Sequence, residues 1–196
     1  MMIEKAKKIK MLILDVDGVF TDGKVNLFTD PDGTINEVKS FYAMDGLGII
    51  LLNEIGISSS IITGRAHIST EARAKQIGIK YLYQGFLSKL EPFNEIIKKD
   101  NLKLEEIAYI GDDIIDLPVL TRVGLACCPA NSHEEVKKVC HLITETKGGE
   151  GCIREVVEII LKAQGKFNDI IAVITDGNWQ QKPKHKPQVY TSGGTH

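Results

Sequence analysis

An apolar run, Met11-Leu12-Ile13-Leu14, ends in two carboxylates one residue apart, Asp15 and Asp17, with Gly18 directly behind them. Such a run reads as a strand buried on both faces of a parallel sheet, and open α/β sheets bind ligands beyond the carboxyl ends of their strands. Two aspartates at that place repel each other, so a cation is expected to hold them together, and carboxylate oxygens suit Mg²⁺. Three more polar signals follow three further strand-like runs: Thr63, Lys89, and Asp112 with Asp113. A sheet brings such strand ends together however far apart they lie in the chain. These residue types suit phosphoryl transfer, where positioning and charge neutralisation supply most of the catalysis. One carboxylate can attack phosphorus and form an aspartyl phosphate, while a second protonates the leaving alkoxide and then activates water. A hydroxyl and an ammonium can hold the phosphoryl oxygens. Taken singly each signal has a bland reading: Thr63 as a helix cap, Lys89 as a solvated side chain, Gly-Asp-Asp as a turn.

The elements that must position these groups alternate. Strands are expected at Met11–Leu14, Ser58–Thr63, Ile79–Tyr83, Glu106–Ile110 and Gly124–Cys127, with a short edge strand at His141–Thr144. Between them, apolar residues at helical spacing predict helices over Ala43–Glu54, Ile68–Gln76, Lys89–Lys99, Asp116–Arg122, Glu134–Cys140 and Ile153–Gln164. Ser132 with Glu135 reads as a capping box for the fifth of these. This alternation predicts an α/β fold with a doubly wound, mostly parallel sheet. The segment 23–38, turning at Asp30-Pro31-Asp32-Gly33, predicts a β-hairpin projecting from the end of the first strand. A hairpin alone is marginal in water and is expected to pack on something. Ile170–Ile174 reads as a further strand, and the run from Gln180 to His196 as an extended or disordered end whose His185 and His196 are solvated.

Composition narrows the partners. The 196 residues suffice for one well-cored domain, and 43% hydrophobic with 26% charged residues is ordinary for a globular protein. A net charge of -2 provides no general field for nucleic acid or an anionic membrane. No apolar stretch is long enough to span a bilayer, and Met-Met-Ile-Glu-Lys-Ala-Lys-Lys at the start lacks the apolar core of a signal peptide. Cys127, Cys128, Cys140 and Cys152 form no Cys-x-x-Cys pair, which speaks against zinc and for a reducing, cytoplasmic setting.

Together the motifs resemble those of the haloacid dehalogenase superfamily of phosphatases. Its first motif, Asp-x-Asp-Gly-x-x-Thr, is met by Asp15 to Thr21, its second by Thr63, its third by Lys89, and its fourth by Gly111-Asp112-Asp113-x-x-Asp116. The resemblance implies that Asp15 is nucleophile and Mg²⁺ ligand, and that Asp17 is acid/base and binds the metal through its backbone carbonyl. It further implies that Thr63 and Lys89 grip phosphate, that Asp112 completes the metal shell, and that Asp113 and Asp116 orient Lys89 and the metal's waters.

Only 45 residues separate Asp17 from Thr63 and 25 separate Thr63 from Lys89, which leaves no room for the cap domain common in that superfamily. Residues 10–166 are similar to a capless branch, the 3-deoxy-D-manno-octulosonate 8-phosphate phosphatases of lipopolysaccharide sugar synthesis. The matching stretches include Asp45-Gly46-x-Gly48-Ile49, Ile62-Thr63-Gly64-Arg65, Leu82-Tyr83-Gln84-Gly85, Gly148-Gly149-x-Gly151 and Ala163-Gln164-Gly165-Lys166. That resemblance implies a sugar acid phosphate as substrate, held by Tyr42, Ala43, Met44, Asp45, Gly46, Gly64, Arg65, Arg73 and Lys89. Arg65 and Arg73, eight residues apart, read as flanking a common edge. It also implies a homotetramer in which the hairpins meet and a neighbour closes each site. Residues 1–166 would form the phosphatase domain and 167–196 a tail. Two other readings stay open from sequence: a sister phosphatase acting on 2-keto-3-deoxynononate 9-phosphate, and a non-catalytic assembly domain of the same fold.

Overall fold

The inner strands carry apolar side chains on both faces, so each must satisfy its backbone against a neighbour and cover both faces with helices. In the computed structural model, which describes residues 2–180 and 186–192, this produces one seven-stranded sheet and a separate hairpin. In chain order the elements are α1 (Met2–Ala6), β1 (Met11–Leu14), β2 (Asn26–Thr29), β3 (Ile35–Val38), α2 (Ala43–Glu54), β4 (Ser58–Thr63), α3 (Ile68–Ile77), β5 (Tyr81–Gln84) and α4 (Leu90–Asp100). They continue with β6 (Ile107–Ile110), α5 (Leu117–Leu120), β7 (Leu125–Cys128), α6 (Glu134–Val139), β8 (Leu142–Ile143), α7 (Cys152–Ala163), α8 (Phe167–Thr175) and β9 (Gln188–Thr191).

The sheet order is β8-β7-β6-β1-β4-β5-β9, and every pairing within it is parallel. The chain first runs outward from β1 to β4 and β5, then returns to β6 on the other side of β1. That reversal opens a crevice at the carboxyl ends of β1 and β6, where Leu14 lies opposite Ile110. Alternation along β1 divides the core. Leu12 and Leu14 join the layer built from α1, α2, α3 and α7, while Met11 and Ile13 join that of α4, α5 and α6. All four side chains are fully or almost fully buried, each worth about 1.5–3 kcal/mol against exposure.

The expected strands and helices up to Gln164 are present, with ends shifted by no more than two residues. No cap domain interrupts them. Two local expectations give way. The cap of α6 is His133, whose Nδ1 accepts from the Glu135 amide at 3.2 Å, while the Ser132 hydroxyl donates to the Pro129 carbonyl at 2.7 Å. Ile170–Ile174 lies inside α8 instead of forming a strand. A short apolar run has no periodicity of its own, and here Phe167 and Ile170, three apart, both pack on the core.

Beyond α8 the chain returns as β9, the far edge of the sheet, beside β5. Tyr190 stacks on Tyr83 with ring centroids 4.5 Å apart, and the Lys99 ammonium lies 3.9 Å from the Tyr190 centroid. His185 and His196 lie outside the described residues. The hairpin β2–β3 is antiparallel, pairs Thr29 with Ile35, and is closed by Asp30 and Gly33. Its strands leave Leu27 64% and Ile35 68% exposed.

Candidate active site

Asp15 follows β1 and donates its backbone N–H to Ile110 O, which ties it to the end of β6 at 3.0 Å. Its side chain points into the crevice, with Oδ1 accepting from the Val16 amide at 2.6 Å. Behind it the chain makes a tight loop closed by Thr21, whose hydroxyl reaches Val16 O at 3.3 Å. Gly18 adopts φ +91, and a Cβ there would fall 2.1 Å from Asp112 Oδ2, so the loop admits only glycine. The loop is backed by Gly148, where a Cβ would lie 1.7 Å from the Gly18 carbonyl.

Lys89 precedes α4 and is completely buried. Its ammonium lies 2.6 Å from Asp15 Oδ2 and 2.6 Å from Asp116 Oδ1. Asp116 also accepts from the Tyr109 hydroxyl at 2.6 Å and from the amides of Asp112 and Asp113 at 3.0 and 3.2 Å. Burial opposes the ammonium of Lys89, yet the two carboxylates outweigh it and raise its pKa. Burial raises Asp15 to about 7 against the pull of Lys89, with Asp116 adding repulsion. Asp112 is raised to about 8, by burial first and then by Asp15 and Asp116.

A carboxylate oxygen from each of Asp15, Asp112 and Asp116 falls within 4.8 Å of the others. Asp116 has its oxygens engaged by Lys89, Tyr109 and two amides. Asp112 Oδ1, in contrast, is buried with no hydrogen-bond partner. A buried, unpartnered carboxylate oxygen beside a second carboxylate whose charge is disfavoured is what a hard divalent cation would relieve. Asp15 and Asp112 therefore fit a metal, and Asp116 serves as the anchor of Lys89.

The cleft above them, about 320 Å³, is lined by Asp15, Asp17, Gly18, Gly23, Thr63, Gly64, Arg65, Leu87, Asp112, Asp113 and Ile115. Thr63 ends β4, is buried, and its Oγ1 accepts from the Arg65 amide at 3.4 Å. The cap of α3 is His67, so the helix-cap reading of Thr63 does not hold. Asp113 is exposed and caps the turn at Ile114, 2.7 Å away. It does not touch Lys89, which Asp116 holds.

The remaining expected substrate contacts lie elsewhere. Tyr42, Ala43, Met44, Asp45 and Gly46 do not line this cleft. Asp45 is fully buried, and its Oδ1 accepts from the Arg154 amide at 2.8 Å, satisfying the start of α7. Burial raises its pKa to about 6. Arg73 lies 5.9 Å from the Phe20 ring centroid and donates to Gln76 at 3.3 Å, away from the cleft. Arg65 stands in the loop before His67, so it and Arg73 are not on successive turns of one helix.

Sequence reasoning missed three residues of the site. Tyr109 is an apolar-looking member of β6. Glu37 lies in β3 and Lys39 just after it, and both pair with residues that line the cleft. The Lys39 ammonium contacts Asp17 Oδ1, Arg65 contacts Glu37 Oε2, and longer contacts of 3.7 Å join Lys39 to Glu37 and Arg65 to Asp17. The only clue was Glu37 and Lys39 sharing one face of a strand.

Comparison with known proteins places this geometry. Residues 81–157 match the haloacid dehalogenase-like hydrolase family. The chain is 41% identical over 165 residues to the 3-deoxy-D-manno-octulosonate 8-phosphate phosphatase of Yersinia pestis, covering 84% of this chain and 86% of that one. To the enzyme of the same name from Escherichia coli K12 it is 40% identical over 167 residues, 85% and 87% of the two chains. Among solved structures, the Moraxella catarrhalis 3-deoxy-D-manno-octulosonate 8-phosphate phosphatase, in complex with magnesium ion, phosphate ion and KDO, superposes with a TM-score of 0.83 at 40% identity. It covers 88% of this chain and 97% of that one.

Proposed function

The chain belongs to the family of the 3-deoxy-D-manno-octulosonate 8-phosphate phosphatases, haloacid dehalogenase-like hydrolases, and from that premise we propose that it hydrolyses this ester to the free sugar acid and phosphate with Mg²⁺. The observation that carries the reading is the pairing of Asp15 with the unpartnered Asp112 oxygen on the floor of a cleft that also holds Asp17 and Thr63. Asp15, Asp112 and the Asp17 backbone carbonyl would hold Mg²⁺, which supplies charge neutralisation to the phosphoryl oxygens.

The chain's own residues do the rest. An Asp15 carboxylate oxygen forms a bond to phosphorus as the bond to the sugar oxygen breaks, and Asp17 delivers a proton to that leaving oxygen. Asp17 then takes a proton from water, whose oxygen attacks the aspartyl phosphate. The Asp15–phosphorus bond breaks and phosphate leaves. Lys89, fixed by Asp116 and Tyr109, holds positive charge beside Asp15 throughout, and Thr63 orients a phosphoryl oxygen. Arg65, 41% exposed at the rim, is suited to the carboxylate of the sugar acid, which a guanidinium binds through two parallel hydrogen bonds. Phosphate release from the octulosonate ester, with and without Mg²⁺, tests the proposal. Release from ribose 5-phosphate or 2-keto-3-deoxynononate 9-phosphate in preference to it would count against the proposal.

The assembly and setting belong to the same proposal. The cleft is open, and the hairpin exposes Val25, Leu27 and Ile35 along an otherwise unsupported two-stranded sheet. Burying these faces against other copies supports a homotetramer in which a neighbour closes each site. Light scattering of the wild type and of a Leu27→Asp, Ile35→Asp variant tests this: a tetramer that falls to smaller species supports it, and a wild-type monomer overturns it. No helix among the described residues is long and apolar enough to cross a membrane. All four cysteines are free, which supports the cytoplasm as the setting.

A further inference from the structure

At the foot of the hairpin four charges form a closed ring in which each anion touches both cations. Asp17 meets Lys39 and Arg65, and Glu37 meets the same two. The ring is neutral, and three of its side chains are largely withdrawn from water: Lys39 is 2%, Glu37 11% and Asp17 24% exposed. Arg65 is the open member, facing the cleft.

Glu37 is only half satisfied within this ring. Its Oε2 is engaged by Arg65, but Oε1 is buried without a hydrogen-bond partner, and Lys39 at 3.7 Å is too far to provide one. Arg65 is thus covered by a carboxylate of the protein itself, on the group best suited to receive a carboxylate from outside. Lys39 meanwhile sits on Asp17, the residue that must give its proton to the leaving oxygen.

We propose that Glu37 holds, in the free protein, the place of the substrate carboxylate on Arg65, and that displacement by that carboxylate moves Lys39 from Asp17 to Glu37. This rests on the functional reading above. A sugar acid phosphate draws Arg65 to its own carboxylate, Glu37 turns to the one cation left to it, and Asp17 is released for proton transfer. An ester without a carboxylate reaches the floor of the cleft but leaves Lys39 on Asp17. Glu37 and Lys39 are positioning residues in this scheme, and selection is exerted on turnover as well as on binding.

The test compares wild type, Glu37→Gln and Glu37→Asp in two measurements. The first titrates pyruvate, a carboxylate with no phosphate, by NMR. Removing the competing carboxylate in Glu37→Gln is expected to tighten pyruvate about three- to fivefold, and Arg65→Ala is expected to abolish that gain. The second measures kcat and KM for the octulosonate ester and for ribose 5-phosphate. The ratio of the two kcat values is expected to fall about three- to fivefold in Glu37→Gln and to recover in Glu37→Asp, which keeps the charge. A purely structural Glu37 would change both esters by one factor and leave pyruvate unmoved, and that result overturns the proposal. Should wild type release no phosphate from the octulosonate ester, the functional reading fails by itself, and the pyruvate titration still decides the role of Glu37. Glu37→Asp also serves as the charge-keeping control if Glu37→Gln fails to fold.

Discussion

The floor of the cleft and its rim are both built from alternating charges, but they differ in what holds them. On the floor, Lys89 bridges Asp15 and Asp116 at 2.6 Å each, with Tyr109 and two amides completing Asp116. These groups hang from β1, β6 and the start of α4, elements locked into the sheet and its core. At the rim, Lys39, Glu37, Asp17 and Arg65 meet through the end of a hairpin that pairs with nothing but itself among the described residues. Low dielectric and full burial make the floor rigid and costly to disturb, whereas the rim is open to the cleft through Arg65. The floor is suited to chemistry common to any phosphate ester, and the rim to telling one ester from another.

Variants separate the two regions. Asp15→Asn is expected to remove the nucleophile and lower phosphate release at least about a thousandfold for every ester tested. Lys89→Met leaves Asp15 and Asp116 buried without the cation they share, so a loss of about 3–5 kcal/mol in denaturant unfolding is expected together with loss of turnover. Arg65→Ala is expected to raise KM for the octulosonate ester about tenfold, with a change of less than about twofold for ribose 5-phosphate. An equal effect on both esters would erase the distinction between rim and floor.

A pH effect is expected at the floor. Asp15 and Asp112 are raised to about 7 and about 8, so between about pH 4 and those values the folded chain binds more protons than the unfolded one. Stability of the metal-free protein is therefore expected to fall as pH rises from about 5 to about 8, by on the order of 2 kcal/mol after allowance for solvent screening. Mg²⁺ is expected to flatten that slope, and thermal unfolding across the range with and without the ion reads it. The smallest effect is expected for Tyr109→Phe, which removes one hydrogen bond to Asp116 for about 1 kcal/mol of stability.

What was legible in the sequence follows the same division. Asp15, Asp17, Thr63, Lys89 and Asp112 could be gathered into one site from the chain alone, because each follows an apolar run and a parallel sheet must align such ends. Glu37 and Lys39 could not, since their role depends on how a hairpin leans back over a neighbouring loop, and an alternating Glu-x-Lys is an ordinary solvent-facing pattern. Asp45 stood out as a possible substrate contact, yet tertiary packing uses it to satisfy the start of α7. The helix at Phe167–Thr175 and the edge strand at Gln188–Thr191 were hidden for another reason. Short apolar segments take their form from the surface that receives them, here the core beside α7 and the exposed edge of β5.

Phosphate release from 3-deoxy-D-manno-octulosonate 8-phosphate with Mg²⁺, measured side by side for wild type and Asp15→Asn, tests the assignment most directly. Turnover by the wild type, absent without the metal and absent in Asp15→Asn, is the expected result. Equal release by Asp15→Asn, or no release from this ester by the wild type, would contradict it.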